Sequence, residues 1–306
     1  MSGQNHQSSN DMAIVGPGAI GLGLAASLLR KGHRVSLYGR TTAAGFEHTR
    51  DGKTESFSVP IASELTDVRP ASWVLLTTKA YQTAGAEPWL KRLAAESDES
   101  VKLAVVANGV DHIERLTPYW ASERILPVII SMPSVRLSKT SVRQRRRGKM
   151  TVPDDPAGRA FSQLFDDDVE VVRTEDWTTA AWKKLLVNAT LGVCALIGAR
   201  NGMLTEPPLR KLAEGVLRET IVVGKAAGAS FDDPEALIAA TLQNFKKNAE
   251  HRSSITEDRL NGRPIEWDAR NQVVVRYAQR FGVEVPLSEA VASMLAAVDQ
   301  LNQPKL

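Results

Sequence analysis

Short apolar segments alternate with longer helix-compatible segments through the first half of the chain. The apolar segments at residues 13–15, 33–40, 73–79, 102–109 and 123–130 are each short enough to be buried strands. Such alternation is what a doubly wound parallel sheet requires, because neighbouring parallel strands need a crossover, usually a helix, between them. The pattern therefore predicts an α/β fold class for this part of the chain.

The pattern changes near residue 174, where helical periodicity replaces the strand signals. A chain of 306 residues is long for one hydrophobic core and suits two. We therefore predict one domain over residues 11–173 and an all-α domain over residues 174–306, after a polar, disordered tail at residues 1–10. The helices of the second domain, most of which have proline near the start or glycine near the end, are predicted at residues 175–199, 207–228, 234–250, 264–281 and 286–301.

The segment 134–152 predicts an extended, antiparallel addition to the sheet and carries a basic cluster. Five arginine and lysine residues lie between residues 143 and 149. Such a cluster can bind phosphate or nucleic acid, but no aromatic residues are interleaved with the charges. We therefore favour a solvated hairpin turn and expect no nucleic-acid partner.

Composition indicates an ordinary soluble globular protein. Hydrophobic residues make up 43% of the chain and charged residues 24%, which excludes disordered and fibrous classes. The formal net charge of +3 suits an anionic cofactor and an anionic substrate. Cys194 is the only cysteine, so an internal disulfide and a cysteine cluster for a metal are excluded. We find no signal-like start and no run of about 18 apolar residues, and expect a cytoplasmic protein without a membrane span.

The sequence GPGAIG, residues 16–21, lies between the first predicted strand and a helix-compatible run. Its glycines have the spacing of the dinucleotide-binding fingerprint of Rossmann domains. Gly16 would make the tight turn, Gly18 would let the backbone approach a pyrophosphate, and Gly21 would let the helix pack closely on the strand. Backbone N–H groups at the helix start would face the diphosphate. The N-terminal domain is therefore predicted to be a Rossmann doubly wound sheet.

The end of the second strand indicates which dinucleotide binds. NAD-binding sheets usually carry an Asp or Glu there, about 20 residues past the fingerprint, for the ribose 2′-hydroxyl. This strand ends in Tyr38, Gly39 and Arg40. A guanidinium suits a 2′-phosphate, and no carboxylate is present to repel it. We therefore predict NADPH as the cofactor, with a solvated loop arginine as the alternative for Arg40.

Two further polar side chains follow predicted strands. Lys79 ends the strand at residues 73–79, and Asn108 lies near the end of the strand at residues 102–109. Ligands of open parallel sheets bind beyond the carboxyl ends of the strands, so both residues are candidates for contact with a nicotinamide and its substrate. Ordinary loop positions are the alternative.

The first helix of the second domain places Lys184, Asn188 and Gly192 on one face, because they are four residues apart. This face can line a cleft, and Lys183 would then point elsewhere. A lysine pair on a helix is, taken alone, most often solvated surface.

The segment 251–268 holds a second group of polar residues, including Ser254, Asp258 and Glu266. By themselves these residues indicate only helix capping by Ser253 or Ser254 and a glutamate favourably placed at a helix N-terminus.

Together, these separated motifs resemble the ketopantoate reductase (2-dehydropantoate 2-reductase) family over nearly the whole chain. The order of the motifs and the twelve-residue step from Ser254 to Glu266 agree with that family. The matching segments are GPGAIG (Gly16, Pro17, Gly18, Ala19, Ile20 and Gly21), Arg40, TTKAYQ at 77–82, ANGV at 107–110, WKKLLVN at 182–188, SSITED at 253–258 and PIEWD at 264–268.

The resemblance implies hydride transfer from NADPH to a 2-oxo acid, with reduction of ketopantoate to pantoate in pantothenate biosynthesis as the first candidate. It implies that Lys184 gives a proton to the developing alkoxide and that Glu266 positions this lysine or a substrate hydroxyl. An active-site cleft between the domains is expected, and a homodimer through the helical domain is compatible with the sequence. The remaining implied roles are substrate binding by Asn108, Asn188 and Ser254, cofactor binding by the GPGAIG turn, Arg40, Lys79 and Asn108, and support by Asp258.

Two departures from the family pattern leave the identity of the 2-oxo acid open. Gly192 and Val193 stand where the family usually has a second asparagine followed by proline, and Arg270 and Asn271 stand where it often has an asparagine-glycine pair. We interpret Gly192 as room in the pocket for a bulkier or less polar 2-oxo acid, with close helix packing as the alternative. The rival hypotheses are a reductase of another 2-oxo acid or an imine, and a dinucleotide-binding sensor without catalytic function.

Overall fold

The computed structural model describes residues 10–302, and this part of the chain divides into two compact units. The first unit runs to residue 175, and the second begins at residue 176, two residues after the predicted start at 174. One segment departs from the predicted division, because Asn108–Asp111 has its contacts within the second unit. Of the predicted tail, residues 1–9 lie outside the described residues.

The described part of the first unit contains twelve strands and four α-helices. The strands are β1 (Asp11–Val15), β2 (Arg34–Tyr38), β3 (Phe46–Arg50), β4 (Lys53–Phe57), β5 (Ile61–Ala62), β6 (Trp73–Leu76), β7 (Lys102–Val106), β8 (Ile125–Ser131), β9 (Ser134–Arg136), β10 (Ser141–Gln144), β11 (Gly148–Pro153) and β12 (Val169–Thr174). The helices are α1 (Ala19–Arg30), α2 (Thr83–Glu96), α3 (His112–Leu116) and α4 (Pro156–Phe161).

Eight of these strands form the main sheet, in the order β12-β11-β8-β7-β6-β1-β2-β5. Every neighbouring pair is parallel except β8 and β11, which are antiparallel. The strands β1, β6 and β7 are almost entirely buried, as central strands covered on both faces must be. The predicted α/β class with a Rossmann sheet is confirmed.

A second sheet, in the order β4-β3-β10-β9, was not predicted. Its β3–β4 hairpin turns at Asp51 and Gly52, both with positive φ. Helix α1 contacts β3, β9 and β10 of this sheet as well as β1 and β2 of the main sheet. Because α1 is covered from both sides, every residue from Gly21 to Leu28 is buried.

The prediction for the segment 134–152 is only partly right. Strand β11 does add antiparallel to the main sheet, but β9 and β10 belong to the second sheet. The basic cluster at residues 143–149 exposes all five of its charged side chains. Residues 145–147 connect the two sheets, so they do not close the hairpin that we predicted.

The second unit is helical and is organised around one buried helix. Helix α5 (Trp177–Ile197) packs against α6 (Pro207–Ala226), α8 (Ser254–Leu260), α10 (Pro286–Asn302) and a π-helical turn at Asp268–Gln272. It is long and apolar enough to cross a membrane, but most of its apolar window is buried inside the unit, as in the core helix of a soluble protein. The unit also contains α7 (Pro234–Lys247) and α9 (Val273–Phe281).

Two features of this unit differ from the predicted helices. Helix α8 is not among the five that we predicted, and the helix expected at 264–281 begins only at Trp267. The residues that follow Trp267 form the π-helical turn before α9 starts. Such turns place an extra residue in the helix and occur frequently at functional sites.

Candidate active site

The glycine turn connects β1 to α1 in the geometry that its spacing predicts. Gly16 has φ +98°, and a Cβ there would lie 2.7 Å from Thr78 Cγ2 and 2.8 Å from its backbone nitrogen. A Cβ at Gly21 would lie 2.5 Å from the Gly16 carbonyl oxygen. Both positions therefore require glycine, the first for backbone conformation and the second for close packing of the helix on the turn.

Gly18 differs from the other two glycines because the space beside it is open. A Cβ at Gly18 would meet nothing closer than the Gly16 carbonyl oxygen at 3.9 Å. Gly18 is also the N-cap of α1, and no side chain caps this helix. The first N–H groups of a helix have no partner within it, so they are available to an anion that approaches over Gly18. The turn fits the diphosphate of a dinucleotide.

Arg40 follows the carboxyl end of β2, two residues beyond Tyr38. Its side chain is exposed and, within residues 10–302, has no hydrogen bond or ion pair. Desolvation lowers the pKa of Arg136, and the nearby positive charge of Arg40 lowers it further. An exposed positive charge therefore follows β2, within electrostatic reach of a second guanidinium, and such a charge suits a phosphate better than a neutral hydroxyl.

Lys79 follows β6 and starts a short 3-10 helix at Ala80–Gln82. Its backbone N–H donates to Gln82 Oε1 over 3.3 Å. Because β6, β1 and β2 are adjacent and parallel, Lys79 follows the same edge of the sheet as Gly16 and Arg40. Three of the predicted cofactor positions are thus brought to one edge.

Three of the predicted residues in the second unit are joined by hydrogen bonds. Asn188 Nδ2 donates to Asn108 Oδ1 over 3.1 Å, and Asn108 Nδ2 donates to Glu266 Oε2 over 2.9 Å. Asn188 and Glu266 are each 4% exposed. Asn108 is held to the helical unit through its neighbour Asp111, which pairs with Arg276 over 3.1 Å. These two hydrogen bonds connect Asn188 and Glu266, which are 78 positions apart in the sequence, through Asn108, a residue of a loop that belongs to the same unit.

Lys184 lies one turn before Asn188 on α5. It is partly buried, whereas Lys183 beside it is exposed, as the predicted helix face requires. Burial, and next the positive charge of Arg270, lower the pKa of Lys184 to about 8. An amine with this pKa can both hold and release a proton near neutral pH, which is what a general acid needs.

Ser254 begins α8 and accepts a hydrogen bond from Arg270 Nη2 over 2.8 Å. The capping role considered for Ser253 is not seen, because its hydroxyl lies 2.9 Å from Thr256 Oγ1 and makes no backbone cap. Asp258 accepts from Arg263 Nε over 2.9 Å. Ser254 is therefore placed with Arg270, which stands where the family often has asparagine.

The interpretation of Gly192 as room in the pocket is wrong. A Cβ at Gly192 would lie 2.7 Å from both Nδ2 and Oδ1 of Asn271. Asn271 is 2% exposed and donates from Nδ2 to the Ala189 carbonyl oxygen over 2.9 Å. The space beside Gly192 is filled by this amide, so close packing explains the glycine.

We expect Gly192→Ala to destabilise the protein by about 1–3 kcal/mol, because the added methyl must displace a buried, hydrogen-bonded amide. The control is Gly85→Ala in α2, where a Cβ would meet nothing within 4 Å. That change should be neutral or stabilise by up to about 1 kcal/mol through helix propensity. Chemical denaturation of both variants measures the difference. Equal stability of the two would contradict the packing explanation.

Arg270 is the residue of this site that sequence reasoning missed. It is 3% exposed and lies among the buried residues Ala269, Asn271 and Val273. The available signal was an arginine on the apolar face of the predicted helix, where hydrophobic periodicity calls for a core residue. A charged residue at such a position is rarely buried unless it is paired or functional.

Comparison with known proteins places these motifs in one family. The family model for ketopantoate reductase PanE/ApbA matches residues 12–156, and the model for its C-terminal part matches residues 176–299. A 2-dehydropantoate 2-reductase of Mycobacterium tuberculosis (strain CDC 1551 / Oshkosh) is 35% identical, over 94% of this chain and 97% of the relative.

Solved structures show the same fold. The 2-dehydropantoate 2-reductase of Geobacter metallireducens GS-15 superposes with a TM-score of 0.85 at 24% identity, over 94% of this chain and 99% of that one. A dimeric ketopantoate reductase of Staphylococcus aureus gives a TM-score of 0.84 at 21% identity, over 96% of this chain and 100% of that one. With both halves of the chain matched, the protein belongs to the ketopantoate reductase family of NAD(P)-dependent oxidoreductases that act on CH–OH groups.

Proposed function

We propose that this protein reduces a 2-oxo acid to the 2-hydroxy acid with NADPH, and that its substrate is 2-dehydropantoate. The observation that carries the proposal is Lys184, an amine with a pKa of about 8, one helical turn from the hydrogen-bonded chain of Asn188, Asn108 and Glu266. A proton donor beside fixed amide and carboxylate groups suits a substrate with a ketone and a hydroxyl. The named activity of the relatives is of this kind.

The cofactor would be held by the glycine turn and the uncapped start of α1, with Arg40 at the 2′-phosphate. NADPH supplies a hydride to the carbonyl carbon when it is bound. The open space over Gly18 suits the diphosphate of either dinucleotide, whereas Arg40 and the lack of an acidic residue at the end of β2 favour NADPH over NADH.

The chemical role proposed for Lys184 is to hydrogen-bond the ketone oxygen and to donate a proton to it as the alkoxide develops. The ammonium group also stabilises the negative charge on that oxygen. Asn108 and Asn188 would orient the substrate through their amides, and Glu266 would fix the Asn108 amide by accepting its N–H. Ser254 would donate its hydroxyl hydrogen to the substrate, since its oxygen already accepts from Arg270.

The assignment is tested by initial rates of NADPH oxidation with a panel of 2-oxo acids. The panel contains 2-dehydropantoate, smaller aliphatic 2-oxo acids and bulkier aromatic ones. We expect the highest kcat/KM with 2-dehydropantoate. A higher kcat/KM with another acid would reassign the substrate, and tight NADPH binding without turnover of any acid would favour a sensor.

The rate of reduction should depend on pH through Lys184. Below its pKa of about 8 the amine is protonated and can donate, and above it the amine is neutral and cannot. We therefore expect kcat/KM to be level on the acidic side and to fall by about tenfold per pH unit above this pKa. If kcat/KM of Lys184→Ala falls above the same pH, the titrating group is not Lys184.

The proposed assembly and location follow from the family. We propose a homodimer, as the similar Staphylococcus aureus enzyme is dimeric, and a soluble cytoplasmic enzyme. Size-exclusion chromatography with light scattering measures the first directly.

A further inference from the structure

The guanidinium group of Arg270 is buried with most of its hydrogen-bonding capacity unused. Nη2 donates to Ser254 Oγ over 2.8 Å. Nε and Nη1 are buried and, in the part of the chain that the structure describes, have no acceptor. An arginine carries five N–H donors and does not lose its proton in proteins, so these donors require a partner.

Within residues 10–302, no carboxylate forms an ion pair with this charge. Ser254 is neutral, and the carboxylates of Glu266 and Asp258 act on Arg270 only through space, where they oppose the effect of burial on its pKa. Removing a charge from water without a paired anion costs several kcal/mol. A site that keeps such a group buried is built for an anion that arrives from outside.

The position of Arg270 connects this charge to the proposed proton donor. Its neighbour Asn271 donates to the carbonyl oxygen of Ala189, so the π-helical turn is fastened to α5 beside Asn188. The positive charge of Arg270 reaches Lys184, one turn earlier on the same helix. Ser254, which accepts the hydrogen bond from Arg270, is exposed and can be reached from solvent.

We propose that Arg270 binds the carboxylate of the substrate, so that it selects 2-oxo acids against neutral ketones. This inference rests on the proposed function, because it names the residue that binds the carboxylate of the substrate whose ketone Lys184 would protonate. In a 2-oxo acid the carboxylate and the ketone are on adjacent carbons, so the groups that bind them must lie close together, and the bond from Asn271 to Ala189 fastens the turn that carries Arg270 to the helix that carries Lys184. Guanidinium groups suit carboxylates because their donors are planar and permanently charged.

Arg270 also explains how the Ser254 hydroxyl is oriented. Because Ser254 Oγ accepts from Nη2, its own hydrogen must point away from the arginine. The hydroxyl and the guanidinium can then donate to one anion together, which places two different donors on the same carboxylate.

The test compares a substrate acid with its neutral ester. Initial rates are measured for 2-dehydropantoate and its methyl ester with wild type, Arg270→Gln and Arg270→Lys, at saturating NADPH. We expect Arg270→Gln to reduce the preference for acid over ester by about tenfold to a hundredfold, mainly through a higher KM for the acid. Arg270→Lys keeps the charge and should retain part of the preference. NADPH affinity should stay within about twofold of wild type.

The control variant is Arg218→Gln, which removes an exposed arginine paired with Glu235 on the same unit. It should leave the ratio of acid to ester unchanged. The inference is overturned if Arg270→Gln keeps the acid-to-ester ratio and only the alkaline limb of the pH profile is displaced. Arg270 would then act only by changing the pKa of Lys184. If Arg270→Gln does not fold, the proposal is judged on Arg270→Lys. If that variant has the acid-to-ester ratio and the KM for the acid of wild type, Arg270 does not bind the carboxylate.

Failure of the proposed function gives a different result. If wild type reduces neither compound, the function is wrong, and calorimetric titration with pantoate then tests Arg270 alone. If wild type binds pantoate and Arg270→Gln does not, Arg270 binds a carboxylate even though the protein is not a reductase. No binding by wild type overturns both proposals.

Discussion

Replacing Lys184 with alanine is expected to lower kcat by about a hundredfold or more, because the reaction loses the group that protonates the alkoxide. Affinity for NADPH should be nearly unchanged, since the glycine turn and Arg40 lie in the other unit. Stopped-flow measurement of a single turnover reports the chemical step, and fluorescence titration reports the Kd of NADPH.

Lys183→Ala is the matched control, because it removes the same charge from the adjacent position. The Lys183 side chain is exposed, whereas that of Lys184 is partly buried with a pKa lowered to about 8. Lys183→Ala should therefore keep kcat within about twofold of wild type. If both variants lose activity to the same extent, the assignment of the helix face is wrong and the mechanism built on Lys184 fails.

Replacing Arg40 with alanine should weaken NADPH binding by about tenfold to a hundredfold, which corresponds to the loss of a charge-assisted hydrogen bond of roughly 1.5–3 kcal/mol. NADH has no 2′-phosphate, so its affinity should barely change. The wild-type protein is accordingly expected to prefer NADPH strongly. Titration of wild type and of Arg40→Ala with NADPH and with NADH measures the four Kd values.

Arg34→Ala provides a control for overall charge. Arg34 begins the same strand that Arg40 follows, and it pairs with Asp11 at the opposite end of the sheet. Its removal should affect NADPH and NADH equally and weakly. Equal losses for the two dinucleotides in Arg40→Ala would mean that Arg40 supports the fold or the general field and does not contact the phosphate.

Local sequence determined much of the first unit. The GPGAIG turn could be predicted because the positive φ of Gly16 and the close approach of Gly21 to the Gly16 carbonyl oxygen arise within one strand-turn-helix unit, although the contact of Gly16 with Thr78 depends on the fold. The edge that carries Arg40 and Lys79 could also be predicted, since parallel strands all present their carboxyl ends on the same side. The periodicity of α5 likewise predicted which of two adjacent lysines is exposed.

Long-range packing decided the rest, because it depends on which surfaces meet after the elements have formed. The dipeptide Asp51-Gly52 is a hairpin signal in the sequence, but the placement of its sheet over α1 depends on contacts distant along the chain. The link from Asn188 through Asn108 to Glu266 is of the same kind. No periodicity specifies it.

Gly192 and Arg270 illustrate the physical reason most directly. A glycine in a helix indicates that something approaches closely, but only the folded chain identifies Asn271 as the neighbour. An arginine on an apolar helix face indicates a conflict between charge and burial, and only the structure shows that Nε and Nη1 are left without an acceptor. The sequence by itself determined the residue types that can do chemistry here, and the tertiary structure decided which of them share a site, since hydrogen bonds and burial depend on distances that local spacing does not specify.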